Sequence, residues 1–160
     1  MKYWEDFSKA QKLRHGPFEV SSELLDTLLD LLGENHPVHT DDEFARITGR
    51  SRRIVPGSVI HAVVNGLHMR YDGPAAVIGM RSTSWDFVRP MYPDEPHWLT
   101  IRVDGMSEVD ELRGQVDLTC RVLDADGRVC TVSRTNALVF RRAAALGAVP
   151  SDGSALRGAS

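Results

Sequence analysis

The side chains best equipped for chemistry fall within nine positions, Gly33-Glu34-Asn35-His36-Pro37-Val38-His39-Thr40-Asp41, which hold two carboxylates and two imidazoles. A packed core has little use for four titratable groups, whereas acid–base work near neutral pH calls for a carboxylate and a histidine. Glu34 and His39 stand five residues apart, which an unbroken helix would place about 140° apart around its axis. Pro37 lies between them and prevents a regular helix from running through the motif. The ligand types of Glu34, His36, His39 and Asp41 also suit zinc, although a proline-interrupted spacing fits that reading less well. His36 has a plainer role open to it, bonding a backbone carbonyl of the loop, and Asp41 reads as a helix cap.

The elements around the motif are strongly patterned. Ser21-Ser22-Glu23 supplies a capping hydroxyl and a first-turn acid. Leu24, Leu25, Leu28, Leu29, Leu31 and Leu32 follow at helical spacing, with Asp26 and Asp30 outward and Gly33 as the stop. Asp41–Ile47 predicts a short helix, and Gly49-Arg50-Ser51-Arg52-Arg53 a basic loop. Pro56-Gly57-Ser58 opens a second long helix, apolar at Val59, Ile60, Val63, Val64 and Leu67 and therefore wrapped by other structure. His61 and His68 read as helix-face histidines.

From Ala75 the period changes to that of strands, at 76–80, 81–87, 98–103, 115–123 and 129–140, with Asp124-Ala125-Asp126-Gly127 as a hairpin turn. Trp85, Phe87, Tyr92 and Trp98 read as core or interface aromatics. Helices first and antiparallel strands later indicate an α+β domain over residues 1–142. Residues 143–160, rich in Ala, Gly and Ser, are expected to form a disordered tail.

Composition excludes several function classes. The chain has 160 residues, enough for one domain, with 42% apolar and 26% charged residues. A net charge of −3 and no long basic run argue against nucleic acid. No stretch is long and apolar enough to span a bilayer, and the first seven residues, Met1 to Phe7, have no signal-peptide pattern. Two cysteines, Cys120 and Cys130, fit a reducing cytoplasm as small buried hydrophobes. P-loop, dinucleotide and Gly-x-Ser-x-Gly motifs are absent.

Taken in order, the motifs resemble the MaoC-like, (R)-specific enoyl-thioester hydratase family over about residues 2–142. The family's loop reads roughly Gly-Asp-x-Asn-Pro-(Leu/Ile/Val)-His-x-Asp, and Gly33–Asp41 follows it. Pro56-Gly57-Ser58 followed by Asn65-Gly66-Leu67 is similar to the start of its central helix, preceded in the chain by a family-like Tyr3-Trp4-Glu5-Asp6-Phe7. Phe87–Asp94, Arg113–Val116 and Leu138–Arg142 are similar to its later connection and strands. Four departures stand out: Glu34 replaces the family's catalytic Asp, His36 its motif Asn, Pro56 the His before the central glycine, and Asn65 the small hydroxyl residue often found in the central helix.

The resemblance implies a hotdog fold, a long helix wrapped by an antiparallel sheet, and a homodimer. It implies hydration or dehydration of 2-enoyl/3-hydroxyacyl thioesters of coenzyme A or a carrier protein, with no cofactor and no metal. Glu34 would then orient and deprotonate the water, His39 would donate a proton to C2, and the Gly57 N–H would bind the thioester oxygen. Asn65 would assist from within the helix, or else satisfy a buried backbone group. His36, Pro37 and Ser58 would line the substrate site, and Arg50, Arg52 and Arg53 would meet the phosphates of the carrier. Two other readings stay open: a hotdog thioesterase, and an acyl-thioester-binding auxiliary protein without hydratase activity.

Overall fold

A computed structural model describes residues 1–71 and 75–147. After a 3₁₀ turn at Trp4–Asp6, the chain forms strand β1 (Lys12–Phe18), helix α1 (Ser22–Leu32), short helices α2 (Pro37–Thr40) and α3 (Asp42–Ile47), and the long helix α4 (Gly57–Tyr71). Strands β2 (Val77–Phe87), β3 (His97–Glu108), β4 (Arg113–Leu123) and β5 (Val129–Phe140) follow, then a short helix α5 (Arg142–Gly147). All five strands join one antiparallel sheet in the order β1-β3-β4-β5-β2. The α+β class and the helix against a curled sheet are as the sequence indicates.

Helix α1 starts and stops where its sequence says. The Ser21 hydroxyl accepts the Leu24 N–H at 3.1 Å, and Gly33 closes the helix in the left-handed region with φ of 65°. The leucine pattern promised more burial than occurs. Leu25 and Leu29 are buried, whereas Leu31 and Leu32 are 78% and 57% exposed. The helix meets the core along one narrow i, i+4 stripe and leaves the rest of its circumference open. Its first turn is also tied to the β2–β3 connection: the Asp94 carboxylate accepts the Ser22 N–H at 2.8 Å and the Ser22 hydroxyl at 2.5 Å. The Ser22 hydroxyl bond holds the Asp94 carboxyl below the ordinary carboxylate range.

Helix α4 lies on the inner face of the sheet. Val59, Ile60, Val64 and Leu67 pack in one buried cluster with Leu99, Ile101, Cys120 and Val122. These strand residues alternate with polar ones that face away, the period-2 signature read from the sequence. The helix is not wrapped on all sides, however: Ala62, Asn65, Gly66 and Met69 are exposed. The two strands expected at 76–80 and 81–87 are one strand, β2, whose register with β5 shifts between Val77 and Gly79 and between Met80 and Ser82. Those irregularities broke the alternation and hid its continuity. Strand β3 likewise runs past its expected end at 103 to Glu108, through a register shift beyond Val103.

The amino-terminal turn locks onto the far end of the sheet. The Trp4 indole N–H donates to Gln115 O at 3.1 Å, and its ring covers Gly114 so closely that a Cβ there would lie 2.2 Å from it. Only glycine fits at that position. The stretch expected as a tail from residue 143 begins within helix α5, with Ala144 buried; residues 148–160 lie outside the described residues. Among the described residues no helix is long and apolar enough to cross a membrane.

One buried polar group makes the fold sensitive to acid. His97, only 2% exposed, packs beside the Phe18 ring and donates its Nδ1–H to Glu95 O at 2.9 Å. Burial pushes its pKa below the ordinary 6.5. The folded protein therefore keeps the ring neutral while the unfolded chain takes up a proton as pH falls through about 6.5. This contribution is fully present above that pH and is lost below it. Urea unfolding at pH 7 and pH 5 should show a lower midpoint at pH 5, and His97→Leu should flatten the difference. A slope that survives the substitution would assign the pH dependence to other groups.

Candidate active site

The titratable motif is organised around its proline. Pro37 was expected to interrupt helical geometry, and it does end the course of the preceding chain, but it also begins helix α2. The first helical position needs no N–H, and the fixed φ of proline is already helical. His36 caps the turn, its Nδ1 accepting the Val38 N–H at 3.2 Å. Asp41 caps the next helix, accepting from Glu43 and Phe44 at 2.7 and 3.1 Å. Asp41 makes the cap read from the sequence, whereas His36, expected to bond a backbone carbonyl of the loop, instead accepts a backbone N–H.

Glu34 follows the left-handed Gly33. Its N–H reaches back to Leu29 O at 3.0 Å, and its Oε1 accepts the His36 N–H at 3.1 Å. Among the described residues Oε2 has no partner. His39 sits one turn later, with Nδ1 2.8 Å from Ile54 O. A carbonyl oxygen only accepts, so Nδ1 carries the proton of that bond and Nε2 is the atom left to exchange one. The bond is braced from both sides, because Ile54 N–H donates to Val38 O at 3.1 Å and Val55 N–H to Met91 O at 2.8 Å. The His36 ring stands edge-on to both His39 and Phe44 at about 6 Å.

His39 opens into a cavity of about 220 Å³ that it lines with Arg50, Ile54, Val55, Gly57, Ile60 and the segment Phe87–Met91. Gly57 is the first residue of α4, so its N–H belongs to the helix end that has no acceptor within the helix and carries the positive pole of the dipole. The ring of Phe87 covers it: a Cβ on residue 57 would lie 2.4 Å from the ring tip. A histidine, the residue that opens a helix and two arginines therefore line one small space, with Arg50 Nη1 donating to Thr48 O at 2.8 Å and Arg89 Nη1 to Val129 O at 2.9 Å. That set suits a substrate with a carbonyl to polarise, a proton to move and phosphates to hold.

Not every expected residue comes to this cavity. Glu34 and His36 stand at the base of the loop and do not line it; Ser58 is exposed beside Gly57. Of the three loop arginines only Arg50 does. Arg52 pairs with Glu95 at 3.1 Å over the Tyr92 ring, and Arg53 grips Asp26 through both guanidinium nitrogens. These two line a separate polar recess with Asp41 and Asp42. Asn65 lies two turns along α4 and borders a second, apolar cavity of about 360 Å³ with His68 and Met69.

Arg89 and the capping role of Phe87 were missed from sequence. The available signal was position alone, an aromatic and an arginine closing a strand just before Pro90. The cysteines stay out of this chemistry: burial raises the Cys130 thiol to about 11, and Cys120 rests 3.3 Å from His68 Nε2. Among the described residues no three His, Cys, Asp or Glu side chains gather as a metal-holding group.

No family model matches the sequence, and no curated protein does. Solved structures do. A monoamine oxidase regulatory protein from Archaeoglobus fulgidus superposes with a TM-score of 0.78 at 22% identity, over 87% of this chain and 94% of its own. A MaoC-like dehydratase from Rhodospirillum rubrum gives 0.78 at 21% identity, over 88% and 97%. An (R)-hydratase from A. caviae involved in PHA biosynthesis gives 0.68 at 19% identity, over 83% and 97%. The chain thus has the hotdog fold of the MaoC-like dehydratases and (R)-hydratases, with low sequence identity.

The crowding at the cavity floor can be measured. Gly57→Ala should destabilise the protein by about 1–3 kcal/mol, the scale of overpacking a filled site, and Phe87→Ala should relieve most of that cost in the double variant. Unfolding free energies that simply add would show that the ring is not what excludes a side chain at residue 57.

Proposed function

We propose that this protein hydrates and dehydrates 2-enoyl/3-hydroxyacyl thioesters, and that the reaction occurs in the cavity shared by His39 and Gly57. The observation that carries the reading is that convergence: an imidazole with Nδ1 pinned by Ile54 O faces the same space as a helix-terminal amide. The fold shared with known dehydratases and hydratases supports it.

The thioester carbonyl would accept the Gly57 N–H, which binds the oxygen more tightly as it gains enolate charge. Glu34 would hold and deprotonate the water through Oε2, its other oxygen being fixed by the His36 amide. As the water oxygen bonds to C3, the carbon–carbon double bond shifts toward C1 and the carbonyl oxygen becomes the enolate oxygen. His39, protonated, then gives its Nε2 proton to C2, and the proton held by Glu34 passes back to His39. One water is consumed and both groups return to their starting states. Glu34 lies outside the lining in the ligand-free geometry, and such contacts commonly tighten only when substrate is bound. Arg50 and Arg89 would meet the phosphates of coenzyme A or of a carrier-protein arm.

A second copy of the chain fits along β2. The two edges of the sheet are unlike. β1 is only 7 residues long and charged at Lys12 and Arg14, features that discourage pairing. β2 is 11 residues long, its edge unpaired, with Val77, Ile78, Met80 and Phe87 all more than 40% exposed. We expect a homodimer through that edge, which would lay the partner beside Phe87 and the cavity mouth.

Loss of crotonyl-coenzyme A absorbance tests the reaction. His39→Ala and Glu34→Gln should each slow hydration by at least about 10²-fold. Unchanged turnover in both would defeat the mechanism. The placement of Glu34 outside the cavity favours one competing reading, a thioester-binding auxiliary protein, which would bind coenzyme A thioesters with no turnover in the wild type. Release of free thiol would instead identify a thioesterase.

A further inference from the structure

Two cavities border helix α4, one at its first turn and one two to three turns along it. Gly57, His61, Val64 and His68 recur at i, i+4, i+7 and i+11, one stripe of the helix. The thioester cavity opens at the first of these and the apolar cavity at the last, with Asn65, His68 and Met69 on its helix side. On β2 the residues that line the cavities run in the same order. Phe87 lines the thioester cavity, while Met80 and Val77 line the apolar one together with Thr135 and Ala137 of β5. Between these levels, and in the lining of neither cavity, His61 meets Trp85 with ring centroids 4.8 Å apart, and Trp85 stacks in turn near Phe87 at 6.1 Å.

Along α4 there is therefore a polar cavity and an apolar cavity, with an aromatic contact at the level between them. Arg50 and Arg89 mark the end where a phosphate-bearing carrier would enter, so the acyl chain of a bound thioester points the other way, along the helix. From Gly57 it meets His61 after one helical turn, about 6 Å, whereas Asn65 is about 12 Å and His68 about 16 Å farther along. The contact is also poorly anchored. The Trp85 indole N–H is buried without a hydrogen-bond partner among the described residues, so removing the ring sacrifices packing but no hydrogen bond.

We propose that Trp85, backed by His61, is the specificity-determining residue that confines this site to short acyl chains by closing it off from the apolar cavity. The inference rests on the thioester reading above and adds the identity of the acyl group. A crotonyl chain ends before the aromatic pair; a decenoyl chain must pass it. With the indole gone, the two cavities become one continuous slot, and the apolar walls of the second, Ile101, Val103 and Val116 among them, receive the longer chain.

The test compares kcat/KM for crotonyl- and trans-2-decenoyl-coenzyme A in the wild type, in Trp85→Ala and in His61→Ala. The wild type should prefer crotonyl by at least about tenfold, and Trp85→Ala should raise decenoyl turnover at least about tenfold while crotonyl changes little. Equal wild-type use of both chains would overturn the proposal, as would a folded Trp85→Ala that keeps the wild-type ratio. Should Trp85→Ala fail to fold, His61→Ala removes the other half of the contact and must shift the ratio the same way. Binding of decanoyl-coenzyme A, a saturated ligand that cannot react, separates this idea from the catalytic one. If no variant turns over either substrate, the hydratase reading fails, and tighter decanoyl binding by Trp85→Ala than by the wild type still decides whether Trp85 is the barrier.

Discussion

Everything in this molecule depends on seating helix α4 against the inner face of one curled sheet. Val59, Ile60, Val64 and Leu67 meet Leu99, Ile101, Cys120 and Val122 in a single buried cluster, and apolar burial of this kind is the dominant favourable contribution to folding. That seating does more than stabilise. It aims the amino terminus of α4, with its unbonded amides, at the one place where the β2–β3 connection and helix α2 also arrive. The site is a by-product of how the core is packed.

Short hydrogen-bonded braces then convert that rough placement into a defined geometry. Ile54 supplies a carbonyl to His39 while its N–H is held by Val38, and Val55 reaches across to Met91. The Asp94 carboxylate ties the same connection to the start of α1. None of these residues needs to be reactive. They restrict the freedom of the loop that carries His39, and under the proposed reaction that is the task of residues that support a site from behind.

Much of this could be read before any coordinates. Ser21 and Gly33 bound α1 because capping and left-handed backbone have strong residue preferences, and Gly57 marks the start of α4 for a related reason. The five-residue offset of Glu34 and His39 around a proline marked a break in the helix, which Pro37 makes, although of the pair only His39 lines the cavity. What stayed hidden has physical causes. The bulges in β2 interrupt the alternation by which a strand is recognised, so one strand looked like two. The fate of three neighbouring arginines depends on carboxylates distant in sequence, Asp26 for Arg53 and Glu95 for Arg52, and no local pattern carries that information. Asn65 shares a helix with Gly57 yet opens onto a different cavity, because two turns of helix separate them. Helix α1 shows the converse error: leucines in plenty do not imply burial when only one stripe finds a partner.

The unlike edges of the sheet also limit how this chain can assemble. A sheet with two equally bare edges can add strands at both and grow without end. Here the two borders differ in length, 7 residues in β1 against 11 in β2, and the proposed pairing uses only the longer one. A body with one valence is saturated by one neighbour, and two such bodies joined about a two-fold axis have nothing further to offer. Under the proposed pairing, the shortness of β1, remote from the candidate site, would act as a chain terminator that keeps a sheet-forming protein from becoming a fibre.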